Sequence, residues 1–317
     1  MANIIEIIGL TKKYGELTAL NNLNLNIEEG AVFGFIGPNG AGKTTTMRIL
    51  TTLLKPTSGQ AWIAGHSVTK DPRGVRRAIG YMPDFFGVYD DMKVWEYLDF
   101  FAACYDIPQA SRAGMVDDLL ALVDLQHKKD AYVESLSRGM KQRLCLARTL
   151  AHDPQVLILD EPASGLDPRA RIEIRELLRE LKNMGKTIFF SSHILSEVAD
   201  ICTSIGIIEA GSLVAFGGVE EMKRQLRAHR VIVMRLLGSL SPALEILLQN
   251  TAVYDTLTGQ ENGLPPDTIR FNFQGDDEAL SQLLAQLISA GIPVISFSEE
   301  HGDLEDVFLQ VTKGIVN

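Results

Sequence analysis

The chain has 317 residues, 46% of them hydrophobic, and a net charge of −10. That length exceeds one ordinary core and requires two or more domains. No stretch reaches the ~18 uninterrupted apolar residues of a membrane span, residues 1–10 lack the basic start of a secretory signal, and three scattered cysteines argue against a disulfide framework and fit a reducing compartment.

In chain order, Ile4–Gly9 and Gln60–Ala64 are expected to form strands of a small antiparallel layer. Ala31–Gly37 is a short apolar strand, and Thr45–Leu54 has a helical pattern. Between them runs Gly37-Pro38-Asn39-Gly40-Ala41-Gly42-Lys43-Thr44, followed by Thr45. It matches the phosphate-loop pattern G-x-x-x-x-G-K-[ST] with a strand before it and a helix after it. Glycines let the backbone N–H groups turn inward toward phosphate oxygens, and the helix adds its positive end. Lys43 is expected to reach the terminal phosphates, and the Thr44 hydroxyl to hold a magnesium ion.

Helical patterns follow at Lys93–Tyr105, Arg112–Leu125 and Lys141–His152, within the 117 positions from Lys43 to Asp160. A simple crossover needs far fewer, so this region is read as an inserted helical arm at about residues 90–152. The apolar run Val156–Leu159 then delivers Asp160 and Glu161 at a strand's carboxyl end, where open α/β sheets bind ligands. Asp160 is expected to hold magnesium, directly or through water, and Glu161 to act as general base on an attacking water. Taken alone, that run also suits a buried strand ending in a solvated acidic turn. Strands are further expected at Thr187–Ser191 and Ser204–Ile208, with a helix at Arg169–Met184.

Gln225–His229 is the expected domain boundary. Beyond it the order restarts: strand Val231–Leu236, helix Pro242–Gln249, strand Thr268–Phe273, helix Glu278–Ala290, strand Pro293–Ser298, helix Leu304–Val311. In the helix 278–290, Leu280, Leu283, Leu284, Leu287 and Ile288 form one apolar stripe. Residues 230–317 hold four basic and twelve acidic side chains, a charge of −8 that repels nucleic acid and anionic headgroups.

These motifs, in this order, resemble the nucleotide-binding subunit of ATP-binding cassette (ABC) transporters over about residues 3–226. The resemblance implies that Tyr14 stacks on adenine. It further implies that Leu136-Ser137-Arg138-Gly139-Met140-Lys141-Gln142-Arg143 is the signature segment, which contacts the terminal phosphate bound by the other subunit. Here Arg138 replaces a glycine and Met140 a glutamine of the usual L-S-G-G-Q; Arg138 faces phosphate, partner or solvent. Ser164-Gly165-Leu166-Asp167 matches the loop that crosses between subunits, and His193 the switch histidine that bridges phosphate and Glu161. Asp84 stands where the family carries a magnesium-side glutamine; it ligates magnesium or orients water, or is a turn residue after Pro83. Of the aromatics at 85–105, most belong to the core of the arm, while Phe85, Phe86 or Tyr89 stay exposed to dock a membrane subunit.

The implied fold is α/β: a P-loop NTPase with a RecA-like core (residues 1–226), an antiparallel β layer and an inserted helical subdomain, plus a small C-terminal α+β domain (residues 230–317). The implied function is an ATPase that dimerises around two ATP molecules with Mg2+ and drives a separate integral-membrane permease, in the export direction. The chain would sit on the cytoplasmic side of the membrane as a peripheral protein, without nucleic-acid partners. A guanine-selecting N-K-x-D run is absent from the sequence, which favours ATP. The alternatives are an importer ATPase with a regulatory tail, a soluble ABC ATPase acting on DNA or ribosomes, and a small-molecule P-loop kinase. The kinase would leave Leu136–Met140 and His193 unexplained.

Overall fold

The structure, a computed structural model, describes residues 2–85, 87, 89, 91–193, 201–222, 230–259 and 265–300. Among the described residues the chain divides into two compact units, 2–219 and 220–300.

The first unit contains two sheets. Long strands β1 (Asn3–Tyr14) and β2 (Leu17–Glu28) pair antiparallel, and β1 also pairs with β4 (Ser58–Ile63), which pairs with the short β5 (His66–Ser67). Alternation explains this layer: Ile5, Ile7, Leu23, Leu25 and Ile27 are buried, with polar residues such as Asn24 and Asn26 between the last three. The antiparallel layer expected from residues 4–9 and 60–64 is present, and β2 doubles it. The rhythm of Leu23, Leu25 and Ile27 was the available signal for β2.

The second sheet has the order β10-β9-β3-β8-β7-β6. Its strands are β3 (Val32–Ile36), β6 (Ile79–Met82), β7 (Val156–Leu159), β8 (Thr187–Ser192), β9 (Ser204–Glu209) and β10 (Ser212–Gly218). All neighbouring pairs are parallel except β9 with the edge strand β10. Strands β3, β7 and β8 are buried along their whole length, as a sheet covered on both faces requires. Phe33, Phe35 and Phe189 lock the middle, with ring centroids 5.2 to 6.2 Å apart. Such pairs add about 0.5–1.5 kcal/mol each beyond the area they bury. Because these strands run parallel, the carboxyl ends of β3, β6, β7, β8 and β9 lie on one edge of the sheet.

Helix α1 (Lys43–Leu50) leaves β3 directly, and α2 (Pro72–Ala78) leads into β6. The region read as a helical arm contains α3 (Val94–Cys104), α4 (Gln109–Leu122) and α5 (Arg138–Leu150). Buried Arg143 ties α5 to the end of α4 by donating to Val123 O at 2.9 Å. Helix α6 (Pro168–Asn183) precedes β8 and buries Ile174, Leu177, Leu178 and Leu181.

In the second unit, β11 (Arg230–Leu236), α7 (Ser241–Gln249), β12 (Val253–Thr258), β13 (Thr268–Phe273), α8 (Asp277–Ser289) and β14 (Val294–Glu300) follow one another. The sheet order is β12-β13-β11-β14 and every pair is antiparallel. This is the split βαββαβ arrangement. Both helices contribute to one core, through Ala243 and Leu247 of α7 and Leu283 and Leu287 of α8. The predicted stripe of α8 needs one correction, since Ile288 is 58% exposed. At 100° per residue it turns past the sheet while Leu287 is buried. Strand β12 was not expected, because Tyr254 to Thr258 mixes polar and apolar residues without clean alternation. The expected helix Leu304–Val311, the boundary Gln225–His229 and Phe86 lie largely or wholly outside the described residues.

Candidate active site

The loop 37–42 follows from close approach. Gly42 has φ +109°, and a Cβ there would lie 2.7 Å from Ala19 O. Only glycine tolerates both the left-handed backbone and that contact. The loop therefore turns against the strand layer and hands the chain to α1, whose first residue is Lys43.

Lys43 is 6% exposed. Its Nζ donates to Gly37 O at 2.6 Å and Pro38 O at 3.2 Å, and lies 3.5 Å from Glu161 Oε1. Burial lowers its pKa below the ordinary lysine value, against the opposing pull of Glu161. Glu161 Oε2 is 2.6 Å from His193 Nδ1. Lys43, Glu161 and His193 thus form one chain of contacts across the ends of β3, β7 and β8.

Beneath it lies a second chain. Glu161 N donates to Ser191 Oγ at 2.9 Å, and Ser191 Oγ donates to Asp160 Oδ1 at 2.7 Å. Asp160 is 1% exposed, and its Oδ2 has no protein partner. A buried carboxylate oxygen with no partner is costly, so this atom fits a cation or a cation-bound water. Thr44 lines the adjoining cleft with Lys43 and Glu161, and Asp160 is not among its lining residues. The partnerless oxygen of Asp160 is the observation that fits a divalent ion here. Glu161 itself has φ +53°, a left-handed conformation rare for a residue with a side chain.

The cleft has a volume of about 280 Å³ and is lined by Pro38, Asn39, Gly40, Gly42, Lys43, Thr44, Thr45, Asp84, Glu161, Ser164 and His193. The structure thus brings Asp84 to the cleft, where its charge acts on Lys43. Ala41 is buried in the loop itself. Tyr14 is not among the lining residues; it stands 47% exposed at the end of β1 with Lys12 Nζ 5.0 Å from its ring centroid.

Ser137, Arg138, Gly139 and Met140 do not line the cleft of their own chain. They form the start of α5, where Ser137 Oγ accepts from Met140 N at 3.3 Å. Asp167 caps α6 by accepting from Ala170 N at 3.0 Å. The sequence assigns Ser191 no role of its own, and Gln142 only a place in the matched signature stretch. Gln142 Nε2 donates to Pro162 O at 2.7 Å, just after Glu161. Ser191 was quoted only as a neighbour of His193; its tie to Asp160 depends on β7–β8 register, which single-strand patterns do not give.

Comparison with known proteins follows the same division. The ABC transporter family matches residues 20–164, and the family described as ATP-binding protein DrrA1-3-like, C-terminal domain, matches residues 217–312. The chain is 36% identical over 316 residues to the bacitracin transport ATP-binding protein BcrA of Bacillus licheniformis, covering 99% of each. It is 33% identical over 309 residues to the daunorubicin resistance ATP-binding protein DrrA3 of Streptomyces coeruleorubidus, covering 97% of this chain and 95% of that one. Among solved structures it resembles a dimeric ATP-binding cassette in a post-hydrolysis state bound to ADP and Pi. There the TM-score is 0.61 and the identity 26%, over 68% of this chain and 98% of that one.

Proposed function

The chain belongs to the ABC transporter family of ATP-binding proteins, and from that premise we propose that two copies close around two ATP molecules and drive a separate integral-membrane permease in the export direction. The observation that carries this reading is the Lys43–Glu161–His193 chain in one cleft beside a glycine-rich phosphate loop. A phosphate cradle, a base and a switch residue occupy the ends of three adjacent parallel strands.

In the cycle so proposed, the backbone N–H groups of loop 37–42 and the Lys43 ammonium bind the phosphates. Lys43 has backbone carbonyls and Glu161 as its present partners. Turning toward the γ-phosphate, it releases Glu161. The freed carboxylate accepts a proton from the attacking water, and His193 keeps it in place. Asp160 and Thr44 would hold Mg2+, which supplies charge neutralisation on the phosphates when bound. Asp84 joins them from the end of β6. Ser137 and the Gly139 N–H, absent from their own chain's cleft, complete the partner's site in trans, and Tyr14 supports the adenine.

The names of the relatives support export. Among the described residues no helix is long and apolar enough to cross a membrane. We therefore assign membrane attachment, on the cytoplasmic side, to the permease contact. Phe85 is 90% exposed and Tyr89 53% exposed, and both suit that contact.

The reading is tested with Lys43→Ala and Glu161→Gln in the full chain. Lys43→Ala abolishes binding of a fluorescent ATP analogue. Glu161→Gln binds ATP, loses turnover by at least about a hundredfold, and accumulates as an ATP-dependent dimer in gel filtration. Normal turnover in either variant refutes the assignment.

A further inference from the structure

One contact in the first unit is unused by the phosphate site. Arg138 is exposed at the start of α5, yet its guanidinium is held by its own chain. Nη2 donates to Ser164 O at 3.2 Å. The guanidinium also lies over Gly165, where a Cβ would overlap it, and Gly165 has φ +66°. One turn along α5, Gln142 donates to Pro162 O. Residues four apart share a helix face. Two side chains of that face therefore hold two carbonyls of the loop joining Glu161 to α6.

We propose that Arg138 is a positioning residue that clamps the loop 162–165 to the signature helix of the same chain. The glycine it replaces could not make this contact. A guanidinium presents donors in a fixed plane, so it fixes the direction of the carbonyl as well as its distance. The signature segment and the loop leaving Glu161 then move as one body. Resting on the two-ATP sandwich proposed above, this clamp links the segment that faces one nucleotide to the loop that reaches toward the other.

The contact is read directly by hydrogen–deuterium exchange of the Ser164, Gly165 and Leu166 amides in the full chain. Arg138→Gly raises their exchange about fivefold, as expected for one lost hydrogen bond. Arg138→Lys, lacking the fork, leaves most of that rise in place. Gly165→Ala displaces the guanidinium and also strains the backbone. The strain is common to both backgrounds, so a double-mutant cycle isolates the contact. Gly165→Ala raises exchange more beside Arg138 than in the Arg138→Gly chain. In ATP hydrolysis, Arg138→Gly lowers kcat about tenfold with KM unchanged, because the loop is misplaced while the phosphate cradle is intact. Wild-type exchange in Arg138→Gly, or strictly additive effects of the two changes, overturns the clamp. If the unmodified chain binds no ATP, the functional reading fails instead, and the exchange result still decides the clamp.

Discussion

Ser191 donates its one proton to Asp160 and accepts from the Glu161 backbone, so a single hydroxyl sets the direction of both acidic residues. Ser191→Ala leaves a buried carboxylate oxygen and a backbone N–H without partners, at a cost of about 1–3 kcal/mol. The expected result is a lower melting temperature and a kcat reduced about tenfold, with nucleotide affinity nearly kept, because Lys43 and the loop are untouched. His152 offers a test on the acid side. Its Nε2 donates to Ile79 O at 2.8 Å, its Nδ1 is buried without a partner, and its ring stacks on Tyr105 at 3.8 Å. Burial lowers its pKa below 6.5, with Asp153 and Lys186 pulling in opposite directions. A folded-state value below the unfolded one means the unfolded chain binds the extra proton. Stability from this group is present above pH 6.5 and falls as pH drops below it. Thermal melts of His152→Gln between pH 7 and pH 5 are therefore flatter than those of the parent. At this scale the sequence was legible where a residue's role is local. The placement of Lys43 and Glu161 beside strand ends was readable from the runs and turns around them, whereas Ser191 and Arg138 contact residues 26 to 31 positions away.

Elements were legible where the pattern was strong. The buried strands β3, β7, β8 and β9 announce themselves as short apolar runs, and α6 shows one clear stripe. Strand β6 was hidden because Ile79–Met82 holds four residues with no alternation, and α2 because it is seven residues long and strongly basic. The stripe of α8 tests how far periodicity can be trusted. Leu287 is fully buried in the second core, while Ile288 is mostly exposed. Leu287→Ala is expected to cost about 2–5 kcal/mol. Ile288→Ala should stay within about 0.5 kcal/mol. Urea denaturation followed by circular dichroism distinguishes the two, and equal effects would contradict the observed packing.

Each of the two units encloses its own buried cluster, one of them centred on Phe33, Phe35 and Phe189 and the other on Phe271 and Phe273. The nucleotide cleft draws every lining residue from the first. A chain ending at residue 222 is accordingly expected to fold and to bind ATP with an affinity within about threefold of the full chain. Calorimetry of the full chain should show a transition that this shortened form lacks. Loss of ATP binding on truncation would mean that the second unit is required for the cleft to form. In the sequence, the signal for a second unit is the restart of the strand–helix order near residue 230. The antiparallel pairing within the second unit was not, because pairing direction is set by contacts between strands rather than by their separate patterns.

The backward-turned backbone at Glu161 has a consequence for how this lineage can change. Most side chains with a Cβ resist that geometry by roughly 1–2 kcal/mol; glycine, which has none, accepts it freely, and asparagine tolerates it better than most. Ordinary drift toward a sturdier fold therefore pushes position 161 toward residues that lack the carboxylate, which we propose takes the proton from water. Breeding this protein for heat endurance alone would favour idle chains, and only a screen that also demands phosphate release keeps the glutamate in place.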